Sequence, residues 1–173
     1  NPVIASSYGV GELIEDALAE GAKRIIIGLG GSATNDAGLG MLMALGVTFH
    51  DINDSLLTHG GGALASLHHI DSTNLNTKIF NTVFEVACDV TNPLCGLLGA
   101  SAVFGPQKGA NPEQVNTLDK ALNHFATMCN QHGYKDCQHV EGAGAAGGLG
   151  YAMMTFFQAQ LKSGFDTVAG VAH

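Results

Sequence analysis

Positive charge is what this sequence has least of: seven Lys and Arg stand against fifteen Asp and Glu in 173 residues, a net charge of −8. No basic field is left to steer the chain onto a nucleic-acid backbone, so nucleic acid is excluded as a partner. Cysteine is scarce as well. Cys88, Cys95, Cys129 and Cys137 contain no C-x-x-C pair and are too few for a disulfide scaffold, so reduced thiols are the expectation. No apolar stretch approaches the roughly 20 residues that span a bilayer, and no charged-then-apolar leader opens the chain. A soluble, cytoplasmic protein without a membrane partner is expected. Internal repeats and flexible linkers are also missing, and 46% apolar residues suffice for one core. Residues 1–173 therefore read as a single α/β domain. The chain opens NPVIASSYG without Met and stops on an apolar pattern, DTVAGVAH, so it reads as a piece of a longer protein.

Apolar periodicity supplies the elements. VGELIEDALAE places Leu13, Ile14, Ala17 and Leu18 on one helical face and ends at Gly21. KRIIIGLG is a continuous β-branched run of the kind buried on both faces of a parallel sheet. A second helix is expected from Asp36, with Leu39, Leu42 and Met43 inward and Gly46 at its end, and GVTFHD follows as a strand. Strand, helix and strand imply a parallel pair with a right-handed crossover. From Asp54 to Lys78 the pattern predicts loops with a short helix. TVFEVACDV reads as a buried strand ending at Asp89 or Val90. Asn111, Pro112 and Gln114 spell a helix start, with Val115, Leu118, Leu122 and Phe125 inward. A last helix spans about Gly148 to Leu161, with Tyr151, Met154 and Phe157 on its packing face. The fold class is α/β: a three-layer, largely parallel open sheet with helices on both faces.

Three stretches carry chemistry. In RIIIGLGGSATNDAG the pattern Gly28-x-Gly30-x-x-Ala33 follows a strand and opens a helix, and Asp51 stands near the end of the next strand. That spacing fits a dinucleotide fingerprint. Asp36 argues the other way, because a fixed carboxylate in the first helical turn repels the pyrophosphate that would sit there. It suits a hydroxyl or a Mg²⁺-bridged phosphate better, or, with Thr34 and Asn35, a simple helix cap. CDVTNPLCG places Asp89 and Asn92 at the carboxyl end of a strand, where ligands of open α/β sheets bind. SAVFGPQKGA sets Lys108, a rare cation, on a glycine-framed loop suited to phosphate. EGAGAAGGLG holds a second glycine pattern with no strand before it, suited to close helix packing or to a ligand at the last helix. Cys129, His132, Cys137 and His139 have the spacing C-x2-H-x4-C-x-H, which matches no standard zinc pattern. His68 and His69 read as loop surface.

The words SSYGVGELI, IIIGLGGSATNDAG, GGGALASL, EVACDVTNPLCG, GASAVFGPQKGA and GAGAAGGLG occur here in one order over nearly the whole chain. Together they closely resemble the central part of bacterial glycerate kinases of the glyoxylate and glucarate pathway type. The resemblance implies transfer of the γ-phosphoryl group of ATP to D-glycerate with Mg²⁺, giving 2-phosphoglycerate, in an enzyme of two α/β domains with the site between them. The family's Asp-Ser-Phe-Lys-Gly and Thr-Gly-Glu-Gly type stretches are not in this sequence, which fits a central fragment. On the logic that phosphoryl transfer asks for positioning and charge neutralisation, Gly30, Gly31, Ser32, Thr34, Asn35 and Asn92 are expected to bind phosphate or substrate. Lys108 would balance charge, and Asp36 and Asp89 would hold Mg²⁺ or orient the acceptor hydroxyl. The alternatives are a Rossmann-type NAD-binding oxidoreductase domain and a non-catalytic scaffold that keeps the kinase core.

Overall fold

A computed structural model describes residues 1–164. The closing pattern at 166–173 lies outside the described residues. Helix α1 spans Tyr8–Ala19, and strand β1 follows at Arg24–Gly28. Then come α2 (Leu39–Ala44), β2 (Thr48–His50), β3 (His69–Asp71) and β4 (Val83–Ala87). The chain continues through α3 (Ala100–Phe104), α4 (Pro112–Gln131), α5 (Ala145–Phe157) and β5 (Gln160–Lys162). Strands β1, β4 and β5 form a parallel sheet in the order β1-β4-β5, and β2 pairs antiparallel with β3. The mostly parallel sheet flanked by helices is the architecture the sequence predicts.

Local signals translate directly into elements. Asn111 accepts from the Gln114 N–H at 2.8 Å while the Gln114 side chain accepts from the Asn111 N–H at 3.0 Å, a reciprocal cap worth about 1 kcal/mol. From that start α4 buries Leu118, Leu122 and Phe125. The Phe125 ring meets Phe49, Tyr151 and Phe156 at centroid separations of 6.0, 5.9 and 6.5 Å, which joins the small sheet to α5 in one core. Helix α1 ends with Gly21 at φ +86, a backbone state that glycine adopts without a Cβ penalty.

Several long-range expectations change. β1 and β2 do not pair; β2 turns back onto β3 instead. Packing holds β2 there: Phe49 is fully buried and its ring meets Phe125 of α4 at 6.0 Å, which keeps β2 in the small sheet. Among the described residues β1 is an edge strand with alternating exposure, so Ile26 is 38% exposed where burial on both faces was expected. Leu13 faces solvent, because Gly11, Ile14 and Leu18 form the packed stripe of α1. β4 ends at Ala87, two residues before Asp89. Gln158 adopts the left-handed region (φ 55) and stops α5, so Leu161 lies in β5 and not on the helix. The stretch 54–78 contains β3, including His69, as well as a 3-10 helix at Gly61–Ser66. Helix α3 has no periodic signature in the sequence.

Candidate active site

The glycine loop after β1 and the Lys108 loop after α3 meet across a pocket of about 90 Å³. Gly30, Gly31, Ser32 and Lys108 line it, with Val90, Phe104, Gln107 and Ala146 among the remaining walls. Lys108 Nζ donates to the Thr34 carbonyl at 2.7 Å and to Ser32 Oγ at 3.2 Å, so the cation is fixed against the loop. Partial burial pushes the Lys108 ammonium down to about 8, and the field of Asp36 opposes part of that shift. A Cβ built on Gly30 or Gly31 would meet nothing within 4 Å. Their lack of a side chain therefore leaves open space beside a cation, and protein packing does not require it.

Asn35 and Asp36 stand behind this loop, both fully buried. Asn35 Nδ2 donates to Ser101 Oγ at 2.8 Å, tying the loop to α3, the helix that leads to Lys108. Asp36 Oδ2 accepts from Ser7 N (2.8 Å), Ser7 Oγ (2.9 Å) and Gly40 N (3.3 Å), and Oδ1 accepts from Gly38 N at 3.2 Å. All four donors come from the protein's own backbone and Ser7, three of them on Oδ2. Asp89 is exposed past the end of β4, where Oδ1 accepts from Gly164 N at 2.8 Å. Asn92 Nδ2 donates to the Leu98 carbonyl at 2.8 Å. Neither Asp89 nor Asn92 is among the residues lining the pocket; their neighbour Val90 is.

The dinucleotide reading fails on three counts. Its second strand does not pair with β1, and Asp51 spends Oδ1 on its own turn, accepting from Asn53 N and Ser55 N. At the head of α2 the first N–H groups already have partners: Leu39 N on Asp36 O, Gly40 N on Asp36 Oδ2, Met41 N on Ser7 Oγ and Leu42 N on Gly38 O. No backbone donor is left there for a pyrophosphate.

The second glycine stretch is a packing device. A Cβ on Gly147 would lie 2.0 Å from the Thr34 carbonyl oxygen, and one on Gly144 would lie 2.3 Å from that of Pro93. Ala37 N donates to Gly147 O at 3.0 Å, so the head of α5 holds the back of the phosphate-loop candidate in place. For the zinc pattern, no three His, Cys, Asp or Glu side chains gather into a metal-holding group among the described residues. The His132 ring is engaged by the Met128 carbonyl and by His69 Nδ1.

Ser7, Ser101, Gln107, Phe104 and Ala146 are the site residues that sequence reasoning did not single out. Ser7 and Ser101 sit inside the quoted words SSYGVGELI and GASAVFGPQKGA, the only signal that could have marked them.

The chain matches the sequence model of the Glycerate kinase family over residues 1–173. It is 51% identical to a glycerate kinase of Bacillus subtilis (strain 168) over 97% of its own length and 44% of that protein. It is 49% identical to a glycerate 2-kinase of Escherichia coli (strain K12), again over 97% of this chain and 44% of the relative. The crystal structure of a protein assigned as glycerate kinase 2 in Salmonella typhimurium LT2 superposes with a TM-score of 0.96 at 47% identity, over 100% of this chain and 46% of that one. The chain thus spans less than half the length of these relatives. No helix of the described residues is long and apolar enough to cross a membrane. With the loop, cation and pocket in place and the match running from first residue to last, the chain belongs to the glycerate kinase family.

Proposed function

We propose that residues 1–173 are one α/β domain of a longer, two-domain cytoplasmic kinase that phosphorylates D-glycerate at the expense of ATP, giving 2-phosphoglycerate. The observation that carries this reading is Lys108: in a chain with seven cationic side chains, one is half-buried and held at 2.7 Å by the carbonyl of the glycine-rich loop. Phosphoryl transfer spreads negative charge over three oxygens and needs a fixed counter-charge with little else in the way. Lys108 supplies the charge. Gly30, Gly31, Ser32 and Thr34 supply a close backbone and hydroxyls, with Asn35 and Asn92 bracing the loops on either side. The reaction moves the γ-phosphoryl group from ADP's terminal oxygen to the glycerate hydroxyl, whose proton leaves to a base.

Between the two acids the environments differ. Asp36 is fully buried and accepts from four donors of the protein itself, so its part in this reading is to hold the loop and set the field at Lys108. Asp89 is exposed at the carboxyl end of β4, a position that suits one ligand of a Mg²⁺ otherwise carried by the nucleotide phosphates, or a contact to the acceptor hydroxyl. When bound, Mg²⁺ neutralises phosphate charge.

The test is Lys108→Ala in the full-length protein. Turnover of D-glycerate, read as ADP formed, is expected to fall by roughly one to three orders of magnitude with the melting transition retained. Wild-type turnover in that variant would overturn the role of Lys108.

A further inference from the structure

Lys108 brings more than charge to the pocket. An ammonium has three N–H donors, and the glycine loop takes two of them, at the Thr34 carbonyl (2.7 Å) and at Ser32 Oγ (3.2 Å). The third N–H has no acceptor among the described residues, and Lys108 is itself a wall of the pocket. When that third proton leaves, the nitrogen keeps both bonds to the loop and carries its lone pair at the one corner the loop does not occupy. Burial brings the ammonium down to about 8, so the neutral amine is populated around that pH. Beside it, no acceptor among the described residues takes the backbone N–H of Gly30, Gly31 or Ser32, and successive N–H groups of this kind suit an anion.

We propose that Lys108 is a covalent binding site for short aldehydes that carry a phosphate, held as a reversible imine with the phosphate on the N–H groups of Gly30, Gly31 and Ser32. The Nζ lone pair attacks the aldehyde carbon, the carbonyl π pair moves to oxygen, and a proton passes from nitrogen to that oxygen. The resulting carbinolamine loses water and leaves a C=N bond, with nothing oxidised or reduced. A proton from solvent makes the imine cationic, and its one N–H still reaches the Thr34 carbonyl, so the counter-charge to the phosphate is kept. The pocket of about 90 Å³ lies below the roughly 300 Å³ at which sites for drug-sized ligands begin, which limits the aldehyde to a few carbons. The inference rests on the reading of this pocket as a phosphate site, and it adds a class of ligand that blocks transfer instead of taking part in it.

The test incubates the full-length protein at about pH 8 with glyceraldehyde 3-phosphate, reduces it with cyanoborohydride and reads the lysines by peptide mass spectrometry. Lys108 is expected to gain the reduced adduct at least about tenfold faster than the exposed Lys120 and Lys135 in the same digest, and any smaller ratio overturns the proposal. Glyceraldehyde at the same concentration lacks the phosphate and is expected to label Lys108 at least about fivefold more slowly; a smaller difference overturns the phosphate's part in the site. D-Glycerate turnover is measured on the same preparation before the aldehyde is added. An active kinase whose Lys108 is not trapped overturns the imine alone, because the role of Lys108 in transfer is judged separately by Lys108→Ala.

Discussion

Asp36 Oδ2 accepts two hydrogen bonds from Ser7, one from the backbone N–H at 2.8 Å and one from the hydroxyl at 2.9 Å. The Ser7 hydroxyl in turn accepts from Met41 N at 3.0 Å, so two side chains 29 residues apart close the start of α2 together. A residue that looks like a helix cap in sequence is here the knot between α1, α2 and the glycine loop. It is also the charged group whose field reaches Lys108.

Because Asp36 accepts hydrogen bonds on both oxygens, three on Oδ2 and one on Oδ1, Asp36→Asn is not a silent change. Whichever way the amide turns, its NH2 faces an N–H or O–H donor, and one bond becomes a repulsion. The expected loss is about 1–3 kcal/mol in the full-length protein, with Ser7→Ala costing a similar amount. Urea denaturation measures both. A midpoint equal to wild type for both variants would mean that the knot contributes nothing to stability.

The two glycine stretches should respond oppositely. Gly30→Ala adds a methyl group to open space, so the fold stays intact while glycerate turnover falls, because that space is where the phosphoryl group is proposed to pass. Gly147→Ala drives a methyl group into the Thr34 carbonyl from a left-handed backbone position (φ +70) and is expected to destabilise the protein by more than 1 kcal/mol on the scale of such strained replacements. Paired thermal melts and assays separate the outcomes; a stable Gly147→Ala with a collapsed Gly30→Ala would reverse the assignment.

Lys108 carries a pH signature. Burial holds its ammonium at about 8 against an ordinary value of 10.5. In that interval the unfolded chain binds more protons at this site than the folded one, so stability rises with pH from about 8 towards 10.5. Lys108→Met should erase that rise. In the full-length enzyme kcat/KM should decline as pH climbs through about 8 and the cation is lost, whereas Lys108→Arg, which keeps its charge, should lack this alkaline limb. A wild-type profile flat to pH 10 would remove Lys108 from the charge-balancing role.

At acid pH the sheet should report on Glu85. Hydrogen bonds from Arg24, and then from Lys162, hold its carboxyl below the usual carboxylate range. Its contribution is complete above the ordinary value and is lost as pH falls through the lowered one. Glu85→Gln should therefore lower stability at neutral pH and flatten the acid limb of a stability curve. Identical acid limbs in the two proteins would show that the bridge adds no pH dependence.

What the sequence determined by itself is what depends on neighbours along the chain. The cap of α4 is written in Asn111, Pro112 and Gln114, because a side chain reaches its own helix start wherever that helix lies in the fold. The same holds for the stop at Gly21, and for the juxtaposition of glycines and hydroxyls from Gly30 to Thr34, which one loop supplies unaided. Family membership was legible for a related reason: six words in one order need no third dimension.

Tertiary structure decided the rest. Which strand lies beside β1 depends on where β2 packs: Phe49 is buried against Phe125 of α4, and the β4 segment at Val83–Ala87 takes the place expected of residues 46–51. The glycines of Gly144–Gly148 could equally have met a ligand; only the position of the Thr34 and Pro93 carbonyls against them shows that they meet backbone. Lys108 was one lysine among few until α3, pinned by the Asn35–Ser101 bond, brought its loop to within 2.7 Å of the Thr34 carbonyl. Asp36 could have capped, bound or catalysed. Its partner Ser7 lies 29 residues upstream, and a hydrogen bond of that span exists only once packing has set two helices side by side, a distance over which local sequence carries no information.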